Sequence, residues 1–105
     1  MLIRSHERMP ASLVVKFILN DELRYAIATD ISEKGMCIKS GHCLPRNAKF
    51  TLQIPMKERH VEIPAQVIYS EKTDGFYDVM GVRILKPANP YIKMVRNLRS
   101  AAGSS

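Results

Sequence analysis

The feature that most constrains how this chain can fold is a period-two alternation of apolar and polar residues, repeated in short runs between turn-forming residues. From Ala11 to Leu19, the residues Leu13, Val15, Phe17 and Leu19 share one face. Successive side chains of a strand point to opposite faces, so this spacing predicts a half-buried strand. Asn20-Asp21-Glu22 supplies turn residues, and an extended run resumes from Leu23 to Ile31, which predicts a hairpin. Gly35 breaks the chain before a short strand from Met36 to Ser40. A loop from Gly41 to Asn47, containing Pro45, precedes the cleanest alternation, with Phe50, Leu52 and Ile54 set against Lys49, Thr51 and Gln53. Pro55 to Glu58 turns the chain around, and from Val61 onward Ile63, Ala65, Val67 and Tyr69 share a face, with Pro64 marking an edge or a bulge. After a turn at Lys72 to Gly75, Met80, Val82 and Ile84 line a sixth strand.

Six short strands with tight connections predict an antiparallel barrel or sandwich, closure being one way to hide strand edges. One helix follows. Asn89 is the expected N-cap and Pro90 suits the first helical position. Tyr91, Met94, Val95 and Leu98 then recur at helical spacing, with Lys93, Arg96 and Arg99 on another face. That basic stripe reads as a solvated face or as a docking surface for an acidic partner. The Ala-Ala-Gly-Ser-Ser end is expected to fray.

At 105 residues the chain is long enough for one domain with a small core. It has no tryptophan, three Phe and four Tyr, so the core must be built from Val, Ile, Leu and Met. Sixteen basic against ten acidic residues leave a net charge of +6, which favours an anionic partner without choosing among nucleotide, nucleic acid and acidic surface. The two cysteines, Cys37 and Cys43, read as reduced thiols of a cytoplasmic protein. The sequence contains no run approaching a membrane span and no signal-peptide pattern.

Catalytic and metal signatures are weak. His6, His42 and His60 with the cysteines match no common zinc spacing, and neither a GxSxG turn nor a GxxxxGK[ST] loop is present. We therefore assign no catalytic residue, metal ligand or cofactor. His6 is the histidine of most interest, because it lies between two arginines, but it reads as a solvated side chain.

Those arginines open the first of two ordered signatures: Arg4-Ser5-His6-Glu7-Arg8 reads RxxxR, and Asp30-Ile31-Ser32-Glu33-Lys34-Gly35 reads DxSxxG. Eight arginines give roughly 0.6 RxxxR pairs by chance, so the first pattern says little alone. The second arises roughly 0.03 times by chance from the Asp, Asn, Ser and Gly present, and is specific. Chemically the set suits a guanine-containing anion. A guanidinium is a planar fork of donors that grips phosphate oxygens, or guanine O6 and N7, bidentately. The Asp30 carboxylate can accept from guanine N1–H and its exocyclic amine, with Ser32 beside it. Gly35 permits a positive φ and a close backbone approach. The plain alternatives are that Arg4 and Arg8 are solvated charges and that Asp30 and Ser32 cap their own turn.

With these two signatures, six strands, Gly81-Val82-Arg83 late in the last strand and a terminal helix, the sequence resembles the PilZ domain family of bacterial cyclic di-GMP receptors along nearly its whole length. The resemblance implies an all-β fold with a C-terminal helix, a six-stranded antiparallel split barrel. It implies one domain over residues 1–105, with 1–10 a flexible ligand-wrapping segment, 11–86 the barrel and 89–101 the helix. Arg4, Arg8, Asp30, Ser32 and Gly35 would bind cyclic di-GMP, and the apolar Ile3 before Arg4 favours one ligand molecule. Because the arginines lie so near Met1, binding would order a free tail and present a surface to a downstream protein controlling motility, adhesion or biofilm exopolysaccharide. The other expectations are a PilZ-type protein–protein module without nucleotide binding, or a small-barrel nucleic-acid binder; the scarcity of aromatics argues against the latter.

Overall fold

A computed structural model describes residues 9–56 and 59–103. Six strands run in order: β1 (Met9–Leu19), β2 (Glu22–Ile31), β3 (Gly35–Ser40), β4 (Lys49–Met56), β5 (Arg59–Glu71) and β6 (Asp78–Ile84), followed by helix α1 (Asn89–Gly103). All pairings are antiparallel and the sheet closes on itself as β1-β2-β3-β6-β5-β4. The expected six-stranded barrel with a C-terminal helix is therefore the fold. The inward faces of the strands meet in one apolar core that includes Val15, Phe17, Ile38, Leu52, Ile63 and Met80, each fully buried. The Phe17 and Phe50 rings pack edge to face at 5.6 Å.

The β1–β2 hairpin turns on two residues, Asn20 and Asp21, with φ of 52° and 65°. Two consecutive left-handed residues define a type I′ turn, whose twist matches the right-handed twist of the flanking strands. Asn and Asp tolerate this region better than other non-glycine residues, because their short polar side chains bond locally.

Several boundaries differ from expectation. The barrel begins at Met9, since Met9 pairs with Ile31 and Pro10 with Asp30; burial of the Met9 side chain draws these residues out of the expected 1–10 segment. Pro64 lies at a local edge, as expected, and not at a bulge: it pairs in register with Thr51 of β4, while the β5–β6 ladder begins only at Ala65, and its carbonyl accepts from Leu85 N–H at 2.9 Å beyond the end of β6. The bulge in β5 falls instead between Val67 and Tyr69 and turns Tyr69 off the inward face. The helix starts at Asn89, the expected boundary, but Ala88 C=O accepts from Ile92 N–H, so Ala88 and not Asn89 is the capping residue. It also runs to Gly103, because Ala101 and Ala102 are strong helix formers. Residues 57 and 58 of the expected β4–β5 turn lie outside the described residues.

Replacing Asp21 by Gly relieves the left-handed strain at a modest entropic cost. Asp21→Gly is expected to stabilise the barrel by about 0.5–1 kcal/mol in urea denaturation, with an unchanged circular dichroism spectrum.

Candidate functional site

The DxSxxG segment begins in β2 and ends at the first residue of β3. Its turn is organised from inside. Ser32 is buried, with 4% of its surface exposed; its hydroxyl donates to Gly35 C=O at 3.3 Å and accepts from Lys34 and Gly35 N–H, each at 3.2 Å. Ser32 N–H also donates to Gly35 C=O at 2.8 Å. These bonds occupy the donor and both acceptor sites of the hydroxyl. Ser32 thus shapes the turn, as its plain reading anticipated, instead of presenting its hydroxyl outward.

Gly35 is required by proximity and not by its backbone angle. None of the described glycines has a positive φ, contrary to the expectation for this one. A Cβ added at Gly35 would instead lie 2.5 Å from the Val82 carbonyl oxygen, a backbone atom with little freedom to move. The turn therefore sits flush against β6, where Lys34 C=O also accepts from Ile84 N–H at 2.8 Å.

Asp30 reaches the outer surface through a change of register. Ala26 and Ala28 face the core, so unbroken alternation would point Asp30 inward as well. Thr29 is an extra residue relative to β3, since Ala28 pairs with Ile38 and Asp30 with Cys37. This bulge puts Ile31 into the core and turns Asp30 out, the kind of re-aiming for which bulges occur beside sites. Asp30 then heads a row that crosses the barrel: it pairs with Pro10 on one side and Cys37 on the other, Cys37 pairs with Gly81, and Gly81 with Tyr69. Arg83 stands one step along β6, exposed and opposite Gly35, donating to Gln66 Oε1 at 2.9 Å.

Arg4 and Arg8, with Ile3 and His6, lie outside the described residues. Met9, which follows Arg8, pairs with Ile31 at the signature. The structure therefore brings Asp30, Ser32 and Gly35 together and seats the start of β1 beside them.

Two side chains that sequence reasoning read only as parts of helical stripes also hold the turn. Tyr91 is fully buried, and its hydroxyl donates to Ser32 C=O at 2.5 Å. Burial, reinforced by the negative charge of Glu33, pushes its ionisation well above the ordinary value of 10.0. Glu33 accepts from Arg96 Nε at 3.3 Å, an exposed ion pair of small energetic weight. The signal for Tyr91 was its type: an aromatic hydroxyl on a helix's buried face needs a partner. Cys37 and Cys43 are free thiols, and burial, with Asp78 nearby, raises the Cys43 pKa and keeps it a poor nucleophile. Among the described residues no group of three His, Cys, Asp or Glu could hold a metal, and no helix is long and apolar enough to cross a membrane.

This arrangement can offer an outward carboxylate, turn backbone and a cation on one face of a closed barrel. The PilZ domain family matches residues 2–99, and the chain belongs to that family. None of the curated proteins matches it. Among solved structures, the PilZ domain of Escherichia coli YcgR with c-di-GMP is similar with a TM-score of 0.69 and 17% identity, covering 97% of this chain and 98% of that one. The Bacillus subtilis inhibitor of motility MotI (DgrA) is similar with a TM-score of 0.75 and 18% identity, over 100% of this chain and 54% of that one. Escherichia coli YcgR in complex with c-di-GMP gives 0.74 and 16%, over 94% and 45%. The chain spans about half the length of these last two proteins. At such identities the likeness is one of fold.

Two outcomes follow for the turn. Gly35→Ala should destabilise the barrel by about 1–3 kcal/mol in urea denaturation, because Cβ meets backbone. Tyr91→Phe should cost about 1–3 kcal/mol at neutral pH by orphaning the Ser32 carbonyl. Since the folded state holds the Tyr91 proton above its ordinary pKa, this contribution is complete below pH 10.0 and is lost as pH rises beyond it. The stability gap between wild type and Tyr91→Phe should therefore narrow in denaturant titrations above that pH.

Proposed function

We propose that this chain is a cytoplasmic, non-enzymatic receptor for cyclic di-GMP that acts as an adaptor. Arg4 and Arg8 close over the ligand, Asp30 accepts from a guanine Watson–Crick edge, and the Ser32–Gly35 turn supplies the supporting backbone. The observation that carries this reading is the junction of the two signatures: β1 enters the barrel with Met9 against Ile31 and Pro10 against Asp30. Arg8 immediately precedes Met9 in the sequence, and Met9 pairs with Ile31 inside the DxSxxG segment. Both signatures are intact, and the net charge of +6 suits a doubly anionic ligand.

In this mechanism the arginine segment goes from loose to ordered when ligand arrives, and the covered face is what a downstream protein reads. The adaptor half is supported by apolar residues exposed on the outer face, among them Val14, Tyr25, Ile27 and Tyr77, a surface of the kind that partners cover. Motility or biofilm control is the output we assign, because one structural neighbour is an inhibitor of motility.

Titration calorimetry with cyclic di-GMP should give micromolar affinity, about −8 kcal/mol, part of the contact energy being spent on ordering the segment. Arg8→Ala and Asp30→Ala should each weaken binding by about 1.5–3 kcal/mol while circular dichroism stays native. Absence of heat at tens of micromolar wild-type protein refutes the reading.

A further inference from the structure

Helix α1 is fixed to the barrel along one side: Tyr91 and Val95 are buried, and Tyr91 and Arg96 bond to Ser32 and Glu33 of the turn. A neighbouring side of the helix is less covered. Met94 and Leu98, one helical turn apart, form one wall of an open groove. Its other wall is the Met56–Arg59 pair that ends the β4–β5 ladder. The groove has a volume of about 800 Å³, and Pro90 and Lys93 also line it.

Floor and rim differ in character. Met56 and Met94 are partly buried against the core, whereas Leu98 keeps 41% of its surface exposed. Methionine is unbranched and adaptable, so two of them with a leucine make a floor that can remould around apolar side chains. Among the described residues that line the groove, the charged ones are Arg59 and Lys93, both exposed cations. The helix as a whole, Asn89–Gly103, carries Lys93, Arg96 and Arg99 and no carboxylate. Arg96 is bonded to Glu33, while Lys93 is turned to the groove.

This combination argues against self-association. In a two-fold contact a second copy would bring the same cations against these, with no lining carboxylate to offset them. A segment with apolar residues on one face and carboxylates beside them complements both floor and rim, and a helix laid in a groove presents the two together. We propose that the groove between α1 and the end of the β4–β5 ladder is the docking site for an acidic amphipathic helix of the downstream protein. The proposal rests on the adaptor half of the reading above and supplies its partner chemistry; the nucleotide half does not enter it. The basic stripe of α1 is then a contact surface, the second of the two roles its sequence allowed.

The probe is a fluorescein-labelled synthetic helix of about 18 residues, with Leu at i, i+3, i+4 and i+7 spacing and Glu on the flanks, set against a version with Lys in place of Glu. Fluorescence anisotropy should show saturable binding of the Glu helix to the wild-type chain, at least about tenfold tighter than the Lys helix. Leu98→Asp should weaken it by about tenfold or more. Arg59→Glu combined with Lys93→Glu should reverse the preference, so that the Lys helix binds tighter, a result that a purely structural role for these residues would not produce. No saturable binding to wild type, or an unreversed preference, overturns the proposal. So does binding to phosphatidylglycerol vesicles that the double variant abolishes while the Glu helix stays unbound, which would make this face a lipid contact. A dimer in sedimentation velocity that Leu98→Asp dissociates also overturns it. Should Leu98→Asp fail to fold in a thermal melt, the charge-reversed variant decides alone. Calorimetry with cyclic di-GMP on the same samples separates the two readings: heat without helix binding defeats the docking site alone, and helix binding without heat defeats the receptor reading alone.

Discussion

The hydroxyl of Ser32 closes a turn on which both the barrel and its site depend. It bonds to three backbone groups within the turn, and the Ser32 carbonyl in turn receives the Tyr91 hydroxyl from the helix. All these groups are buried or partly buried, where an unmade hydrogen bond costs far more than a made one returns. The turn is consequently held from three directions: by its own side chain, by β6 through Gly35 and Lys34, and by α1. What faces outward is rigid because what faces inward is fully bonded. A ligand meeting this edge would find its backbone already ordered.

Strand bulges do the rest. In a closed barrel every residue of a strand faces either core or surface, and parity decides which. One extra residue at Thr29 reverses parity for Asp30 and Ile31, and one at Ile68 does so for Tyr69. The gain in each case is a pair of well-placed neighbours, an apolar residue returned to the core or a ring laid on glycine. Closure fixes the strands on either side, so the re-aimed side chains stand in a fixed row instead of on a mobile loop. On the function proposed, the division of labour follows from this geometry. A preformed outer face supplies recognition, and the cationic segment supplies charge and the conformational response.

Much was legible in the sequence. Alternation in six runs specified six strands, because a half-buried strand has no other way to satisfy its two faces. Val15 and Phe17 are buried in the core and Leu13 packs against it partly buried, as their spacing predicts. Of the helical stripe, Tyr91 and Val95 are likewise buried and Met94 partly so, whereas Leu98 is exposed. The DxSxxG pattern, too improbable to be accidental, located the turn. The failures share a cause: each was a non-local fact. The bulges at Thr29 and Ile68 went unread because each is a shift of register against another strand. Gly35 was read through φ, but its need for no side chain comes from a strand some fifty residues away in sequence.

Side-chain chemistry and local periodicity thus determined the number of strands, the class of fold and the residue types able to greet a guanine nucleotide. Tertiary structure alone decided which residues share the outer row, since register between strands is set by the closed pairing of β2, β3, β6 and β5. A one-residue slip in such pairing reverses the face of all that follows. That is why Asp30 and Tyr69, both inward by sequence parity, stand together outside.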